Sequence, residues 1–138
     1  MNDPVGAFLR ERGCGDHLVK GGLPALVEDW EKTVRSVEAG YRLTLDDYLN
    51  DLDARQLIAD VWAIASDDQR GGVAARLSRA DEMMRRLTRP VPVCLWGREV
   101  AEEEGWTPAD NWWYFVRPVH STPELLAEID NVQKESKR

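Results

Sequence analysis

Residues 40–62, GYRLTLDDYLNDLDARQLIADVW, are the most strongly patterned stretch of the chain, and the fold is organised around them. Thr44 is a good helix N-cap, and Asp47 occupies the position from which an acidic side chain completes a capping box. The apolar residues that follow recur at helical spacing, and they are Leu45, Tyr48, Leu49 and Leu52. This spacing predicts one apolar face of an amphipathic helix.

Beyond Leu52 the apolar positions move to the opposite side of a continued helix. They are Leu57, Ile58, Val61, Trp62 and Ile64. A single straight helix would therefore have to be buried on two sides. Because Asp53 can cap a new helix with Gln56 at the box position, we predict two helices that meet at a corner, over residues 45–52 and 54–65.

The same stretch is the most acidic part of the chain. Between residues 44 and 68, seven aspartates stand against a single arginine. Part of this excess is the usual negative charge at helix N-termini. The functional interpretation is an acidic face for a basic partner, with Asp46, Asp47 and Asp51 as candidate binding residues. The spacing of these acids does not match a calcium-binding EF-hand loop.

Length and composition describe one ordinary globular domain. The chain has 138 residues, of which 43% are hydrophobic and 31% charged, and this balance excludes wholesale disorder. The net charge of −7 argues against DNA and against an anionic membrane as the main partner. No apolar run reaches the roughly 18 residues of a spanning helix, and the N-terminus lacks the pattern of a secretory signal. With only two cysteines, we expect a cytoplasmic protein.

The predicted fold class is mainly α, a single compact domain over residues 1–138 with five or six helices and a small two-stranded β element near the C-terminus. Apolar spacing and stop signals predict further helices over residues 3–12, 24–39, 66–87, 98–104 and 121–132. Residues 92–96 and 112–117 are the predicted strands. The remaining expectations are a loop-rich N-terminal segment over residues 1–22 and a frayed tail over residues 133–138.

Residues 70–89 carry six arginines, opposite in sign to the acidic centre. We interpret the two charges as neutralising each other within the fold. The alternative is a stripe for phosphates or RNA, which the overall charge and the lack of interleaved aromatic residues disfavour.

Aromatic residues are concentrated between positions 96 and 115. In a strand, Trp112 and Tyr114 would point to one side, and Trp113 and Phe115 to the other. The ordinary interpretation is that both pairs are packed in the core. The functional one is an aromatic binding surface or pocket, with Trp96, Trp106, Trp112 and Trp113 as candidate residues.

The chain contains two cysteines and two histidines, Cys14, His17, Cys94 and His120. They could form a zinc site or a Cys–His nucleophile if the ends of the chain meet. However, Cys94 and His120 are too far apart in sequence for a ligand pair on one turn, and no local feature supports a base or an oxyanion hole. We therefore predict no metal, no cofactor and no catalytic residue.

The sequence favours a binding role over catalysis, since it has no phosphate-binding glycine loop and no nucleophile or metalloprotease motif. We predict a small acidic interaction module, of inhibitor, immunity or adaptor type, that masks a basic protein partner or associates with itself. Two alternatives stay open. One is a small-ligand-binding protein or enzyme with a tryptophan-lined pocket, and the other is a metal-stabilised domain.

Overall fold

The computed structural model describes residues 3–135, and within them it has six α-helices, one 3₁₀ turn and a two-stranded sheet. The helices are α1 (Pro4–Glu11), α2 (Asp16–Glu38), α3 (Leu45–Trp62), α4 (Asp67–Arg86), α5 (Arg98–Glu104) and α6 (Pro123–Glu135). The strands are β1 (Thr88–Pro90) and β2 (Val116–Pro118), and the 3₁₀ turn Trp112–Phe115 directly precedes β2. The predicted fold class is confirmed. None of the helices in these residues combines the length and the apolar character needed to cross a membrane.

The core is built on α2, which packs against α1, α3 and α4. Trp30 of α2, Leu52 of α3 and Met84 of α4 have no exposed surface. The predicted capping box at the start of α3 is formed, and Ser66 and Gln69 form a second one at the start of α4. Each fixes the first turn of a helix that contacts the core.

The predicted corner between two helices at Asp53 is wrong, because α3 runs without a break from Leu45 to Trp62. Leu52 and Ile58, which belong to the two opposite apolar stripes, are both fully buried. This burial is possible because α3 packs against α2 and also against the 3₁₀ turn and α6. Because neighbouring elements pack on both apolar sides of α3, the helix continues where the pattern indicates a break.

The N-terminal segment is more helical than the sequence predicts. α1 is confirmed, but α2 begins at Asp16, within the residues predicted as loop. Gly22 interrupts α2 with φ 59° and ψ −145°, a backbone conformation that essentially only glycine adopts. The predicted start near Pro24 therefore coincides with the continuation of α2 beyond this kink. Residues 1 and 2 of the predicted loop lie outside the described part of the chain.

The β element lies near the predicted place, but of the predicted strand residues only 116 and 117 belong to it. Thr88, Arg89 and Pro90 pair antiparallel with Pro118, Arg117 and Val116. Residues 92–96 form no strand, and residues 112–115 form the 3₁₀ turn. A strand would have pointed two of these four aromatic side chains away from the core, whereas the turn leaves all four buried.

Helix α6 continues through residues 133–135, where the sequence analysis expects a frayed tail. Gln133 is buried and makes two hydrogen bonds to the backbone of Val93: its Oε1 accepts from the N–H at 3.0 Å, and its Nε2 donates to the carbonyl at 2.8 Å. The hydroxyl of Thr122, one residue after the start of the predicted helix 121–132, accepts the capping bond from the Leu125 N–H at 3.2 Å. Residues 136–138 of the predicted tail lie outside the described residues.

Candidate functional site

The three aspartates of the predicted acidic face do not act as equivalent free charges. Asp46 and Asp47 are exposed, but the carboxylate of Asp47 accepts hydrogen bonds from the N–H and hydroxyl of Thr44. Asp51 accepts a hydrogen bond of 2.5 Å from the hydroxyl of Tyr41. Burial raises the pKa of Asp51, with the Tyr41 bond acting in the opposite direction. Asp47 and Asp51 are therefore committed to contacts within the fold.

Other carboxylates accept hydrogen bonds from buried aromatic side chains. Oδ1 of Asp53 accepts from the hydroxyl of Tyr114 at 2.5 Å and from Nε1 of Trp96 at 3.1 Å. Oδ1 of Asp81 accepts from Nε1 of Trp30 at 2.9 Å. Burial, reinforced by the Asp53 carboxylate, raises the pKa of the Tyr114 phenol. Three carboxylates, those of Asp51, Asp53 and Asp81, thus satisfy polar groups of aromatic side chains.

The arginines of α4 pair with acids both inside and outside the acidic centre, residues 44–68. Arg76 donates to Glu31 of α2 at 2.6 Å, and Arg70 pairs with Asp67 within α4 itself. Arg55 lies in the acidic centre and makes two bonds of 2.9 and 3.0 Å to Asp81 of α4. The Arg70–Asp67 pair is of the predicted kind, whereas Arg76 pairs with an acid of α2, and Arg55 and Asp81 join the two segments with the signs reversed.

The four candidate tryptophans divide into two pairs. Trp112 and Trp113 are buried in the core, where Arg85 and Arg55 respectively lie over their rings at 4.1 and 4.5 Å from the centroids. The core interpretation of residues 112–115 is thereby supported. Trp96 and Trp106 are partly exposed. Of the two, Trp106 lines open space on the surface.

Trp106 lines a cleft of about 340 Å³ between the end of α1, the middle of α3 and the end of α5. We call it the acidic cleft. Its charged lining residues are Arg12, Asp53, Asp60 and Glu104. Three carboxylates thus share the cleft with one guanidinium, and the excess of negative charge favours a cationic ligand.

One wall of the acidic cleft is held in place by an aromatic stack. The ring of Trp106 lies on that of Tyr114, with 4.1 Å between centroids and 21° between planes. The hydroxyl of Tyr114 in turn holds Asp53, so the position of this carboxylate depends on the stack. An aromatic ring beside fixed carboxylates is a common way to bind an organic cation.

The rest of the acidic cleft is organised by a chain of hydrogen bonds. Asp60 accepts from Arg12 at 3.1 Å and from the amide of Gln56 at 3.0 Å. Gln56 accepts from Asn111 at 2.8 Å, and Asn111 accepts from the backbone N–H of Thr107 at 3.1 Å. These bonds connect α1 and α3 to the segment that carries Trp106. The polar groups are therefore oriented before any ligand arrives.

A second cleft of about 310 Å³ adjoins the first and also has Trp106 in its lining. We call it the apolar cleft, because most of its lining is hydrophobic, including Val93, Cys94, Ala101 and Phe115. Burial raises the pKa of the Cys94 thiol, so this cysteine is mostly uncharged at neutral pH and is a weak nucleophile there.

The two cysteines and two histidines do not form a metal site. Among residues 3–135 no three His, Cys, Asp or Glu side chains are grouped as a metal ion requires. Cys14 lines the acidic cleft and Cys94 the apolar cleft, while the backbone carbonyl of His120 accepts from the N–H of Tyr41. The geometry therefore lends no support to the zinc alternative.

Sequence reasoning identified Trp106 but missed the charged residues of the acidic cleft. It interpreted Asp53 as a helix cap, and it treated Asp60 and Glu104 as ordinary acids on helix surfaces. Arg12 carried no local signal. Comparison with protein-family models, with curated proteins and with solved structures finds no match to this chain.

Proposed function

We propose that the protein is a small binding module that accepts a basic side chain of a protein partner in the acidic cleft. The observation that carries the proposal is the position of Arg12. Its guanidinium lies against Asp60 within the cleft, 3.1 Å from the carboxylate oxygen. The cleft thus already holds a guanidinium, and this contact supports a basic side chain as the ligand.

The surroundings of Arg12 fit a ligand that is larger than a simple ion. The Trp106 indole supplies an aromatic surface, and Asp53 and Glu104 supply charge that Arg12 alone does not neutralise. Charge-assisted bonds to a guanidinium or ammonium group, together with contact to an indole, are the interactions that anchor basic side chains at interfaces. The cleft is open to solvent, and Glu102 of α5, in the lining of the adjoining cleft, is exposed. This surrounding charge would attract a basic surface.

The proposed binding carboxylates of α3 lie from its middle onwards, whereas the predicted acidic face lies at its start. Asp46 remains exposed at the N-terminus of α3 and can add to the long-range field. Asp53 and Asp60 lie about two and four helical turns after Asp46 along α3, and both line the cleft together with Trp106 and Tyr114. Binding there combines both candidate features of the sequence, the acids and the tryptophans.

The experiment is a calorimetric titration with a short peptide that has one arginine between glycines, with the citrulline peptide as the uncharged probe. The arginine peptide should bind and the citrulline peptide should not. Glu104→Gln should weaken binding about threefold to fivefold, as expected for one exposed ion pair. Glu103→Gln is the matched control, since it removes the same charge from the same helix but does not line the cleft.

Arg12→Gln tests the proposal from the other direction. Removal of this guanidinium frees Asp60 and removes a positive charge, so the arginine peptide should bind more tightly. Arg10→Gln is the control, because Arg10 is exposed on the same helix and lies outside the cleft lining. Equal effects of Glu104→Gln and Glu103→Gln, or weaker binding by Arg12→Gln, would show that the cleft is not the binding site.

A further inference from the structure

The acidic and apolar clefts are neighbours that share one side chain. Trp106 lines both, and the end of α5 contributes to each: Glu104 lines the acidic cleft, while Glu102 and Gly105 line the apolar cleft. Two clefts of opposite chemistry therefore meet at a single indole.

The apolar cleft has walls that suit a hydrophobic side chain. Ala101 and Phe115, each less than a tenth exposed, come from α5 and the 3₁₀ turn. The two charged lining residues, Arg98 and Glu102, have opposite signs. The cleft thus has no net charge to balance, in contrast to the acidic cleft, which has an excess of carboxylates. An apolar group beside a cation is the ligand that complements both.

We propose that the two clefts form one bipartite site, in which a peptide segment of the partner places a basic side chain in the acidic cleft and a nearby apolar side chain in the apolar cleft. This inference rests on the proposed function, since it extends the same ligand across Trp106.

An extended peptide segment has suitable dimensions for such a site. Side chains two residues apart lie on the same face of an extended chain and are separated by about 6.6 Å. An extended segment can therefore place two side chains on one surface with a single residue between them, as a ligand on both sides of Trp106 requires. Each cleft lies at the small end of the range for ligand pockets, about 300 Å³, and suits one large side chain rather than a whole folded element. The specificity of the partner segment would then be a basic residue with a leucine-like residue two positions away.

The experiment compares three peptides on the whole protein by calorimetry. They are Leu-Gly-Arg-Gly-Leu, Gly-Gly-Arg-Gly-Gly and Leu-Gly-citrulline-Gly-Leu, all with blocked ends. Leucine on both sides of the arginine makes the result independent of the direction in which the peptide lies. The leucine–arginine peptide should bind about tenfold more tightly than the glycine–arginine peptide, as burial of most of one leucine side chain predicts. Its heat capacity of binding should also be more negative.

Two substitutions, Pro108→Glu and Ala101→Leu, test whether the leucine that increases the affinity binds in the apolar cleft. The first puts a charge at the exposed edge of the apolar cleft, and the second fills the cleft from inside. Each should abolish the tenfold gain. Ala101→Leu should leave the affinity of the glycine–arginine peptide unchanged, and Pro108→Glu should change it no more than Ala109→Glu does. Ala109→Glu is the control for charge, because Ala109 is exposed next to Pro108 but does not line the cleft.

The outcomes separate this inference from the proposed function. Equal binding of the two arginine peptides would overturn the bipartite site and leave the acidic cleft as a binding site. If neither arginine peptide binds, or if the citrulline peptide binds equally well, both proposals fail. A gain that persists in Pro108→Glu and Ala101→Leu would place the leucine elsewhere. Blocked leucine amide that binds as tightly as the leucine–arginine peptide would make the apolar cleft a separate small-molecule site, and would also overturn the inference.

Discussion

Substitution of Asp53 by alanine and by asparagine separates the role this residue has in the structure from the role that the sequence pattern indicates. As the N-cap of a second helix, Asp53 could be replaced by asparagine with little loss, and alanine would cost about 1 kcal/mol. In the structure it accepts two hydrogen bonds in the middle of α3, from Tyr114 and Trp96. The cap role predicts that Asp53→Asn is about as stable as wild type. The acceptor role predicts that it is less stable.

The magnitude follows from the exposure of the two donors. Tyr114 is 0% exposed, so loss of the partner of its hydroxyl costs about 1.5–3 kcal/mol. Trp96 is partly exposed, so its N–H can be rehydrated at a cost of about 0.5–1 kcal/mol. Asp53→Ala should therefore lower the free energy of unfolding by about 3 kcal/mol. Asp53→Asn keeps an acceptor but loses the charge, and should cost about half as much.

The assay is urea unfolding followed by far-ultraviolet circular dichroism, with a double-mutant cycle. Tyr114→Phe removes the main donor, so Asp53→Ala should cost much less in that background, with a coupling of at least about 1.5 kcal/mol. Asn50→Ala, at an exposed position of the same helix, should change stability by less than about 0.5 kcal/mol. An Asp53→Asn protein as stable as wild type, together with additive effects of Asp53→Ala and Tyr114→Phe, would refute the acceptor role.

Three further predictions concern the kink at Gly22, the hydrogen bonds of Gln133 in α6 and the ion pair of Glu31. Gly22→Ala forces a side chain into a positive-φ conformation and should cost about 1–3 kcal/mol in urea unfolding, a prediction that an unchanged midpoint would contradict. Gln133→Ala leaves the buried N–H and carbonyl of Val93 unpaired, so the free energy of unfolding should fall by about 3 kcal/mol, and hydrogen exchange at the Val93 amide should become faster. The hydrogen bond from Arg76 lowers the pKa of Glu31, so the pair stabilises the fold above the ordinary glutamate pKa of about 4.3, and this contribution disappears as the pH falls through the lower folded pKa. Because both side chains are partly exposed, the effect should stay below about 1 kcal/mol, and Glu31→Gln should remove it from stability curves measured at neutral and acid pH.

Elements whose signals are local were predictable from the sequence. α5 begins and ends where the pattern predicts, because Gly105 supplies the left-handed conformation, φ 73°, that ends it. The start of α4 follows from the Ser66 capping box in the same way. The fate of α3 was not predictable by such reasoning. Whether a helix with two apolar stripes breaks or continues depends on what covers its second side, and that cover comes from the 3₁₀ turn and α6.

The acidic cleft was hidden from sequence reasoning for a related reason. Its residues come from three places in the chain, and their roles depend on partners far away in sequence. Asp53 and Tyr114 are 61 residues apart, and Gln56 and Asn111 are 55 apart. No spacing rule identifies such pairs. The aromatic residues were visible as a group, but only the fold shows that Trp112 and Trp113 are buried while Trp106 is left beside the acids.

Net charge is a poor guide to the binding surface of this protein. Some of its carboxylates accept hydrogen bonds from buried aromatic side chains, and others line the acidic cleft. Where a carboxylate accepts from a buried phenol or indole, as Asp51 and Asp81 do, its position is fixed by the core. Asp53 differs from these two in that it also lines the acidic cleft. The bond that satisfies Tyr114 therefore fixes the geometry of the cleft, and the stack on Trp106 extends this order to its wall. A ligand that binds there meets groups already held in place by the fold, so little of its binding free energy is lost in ordering them.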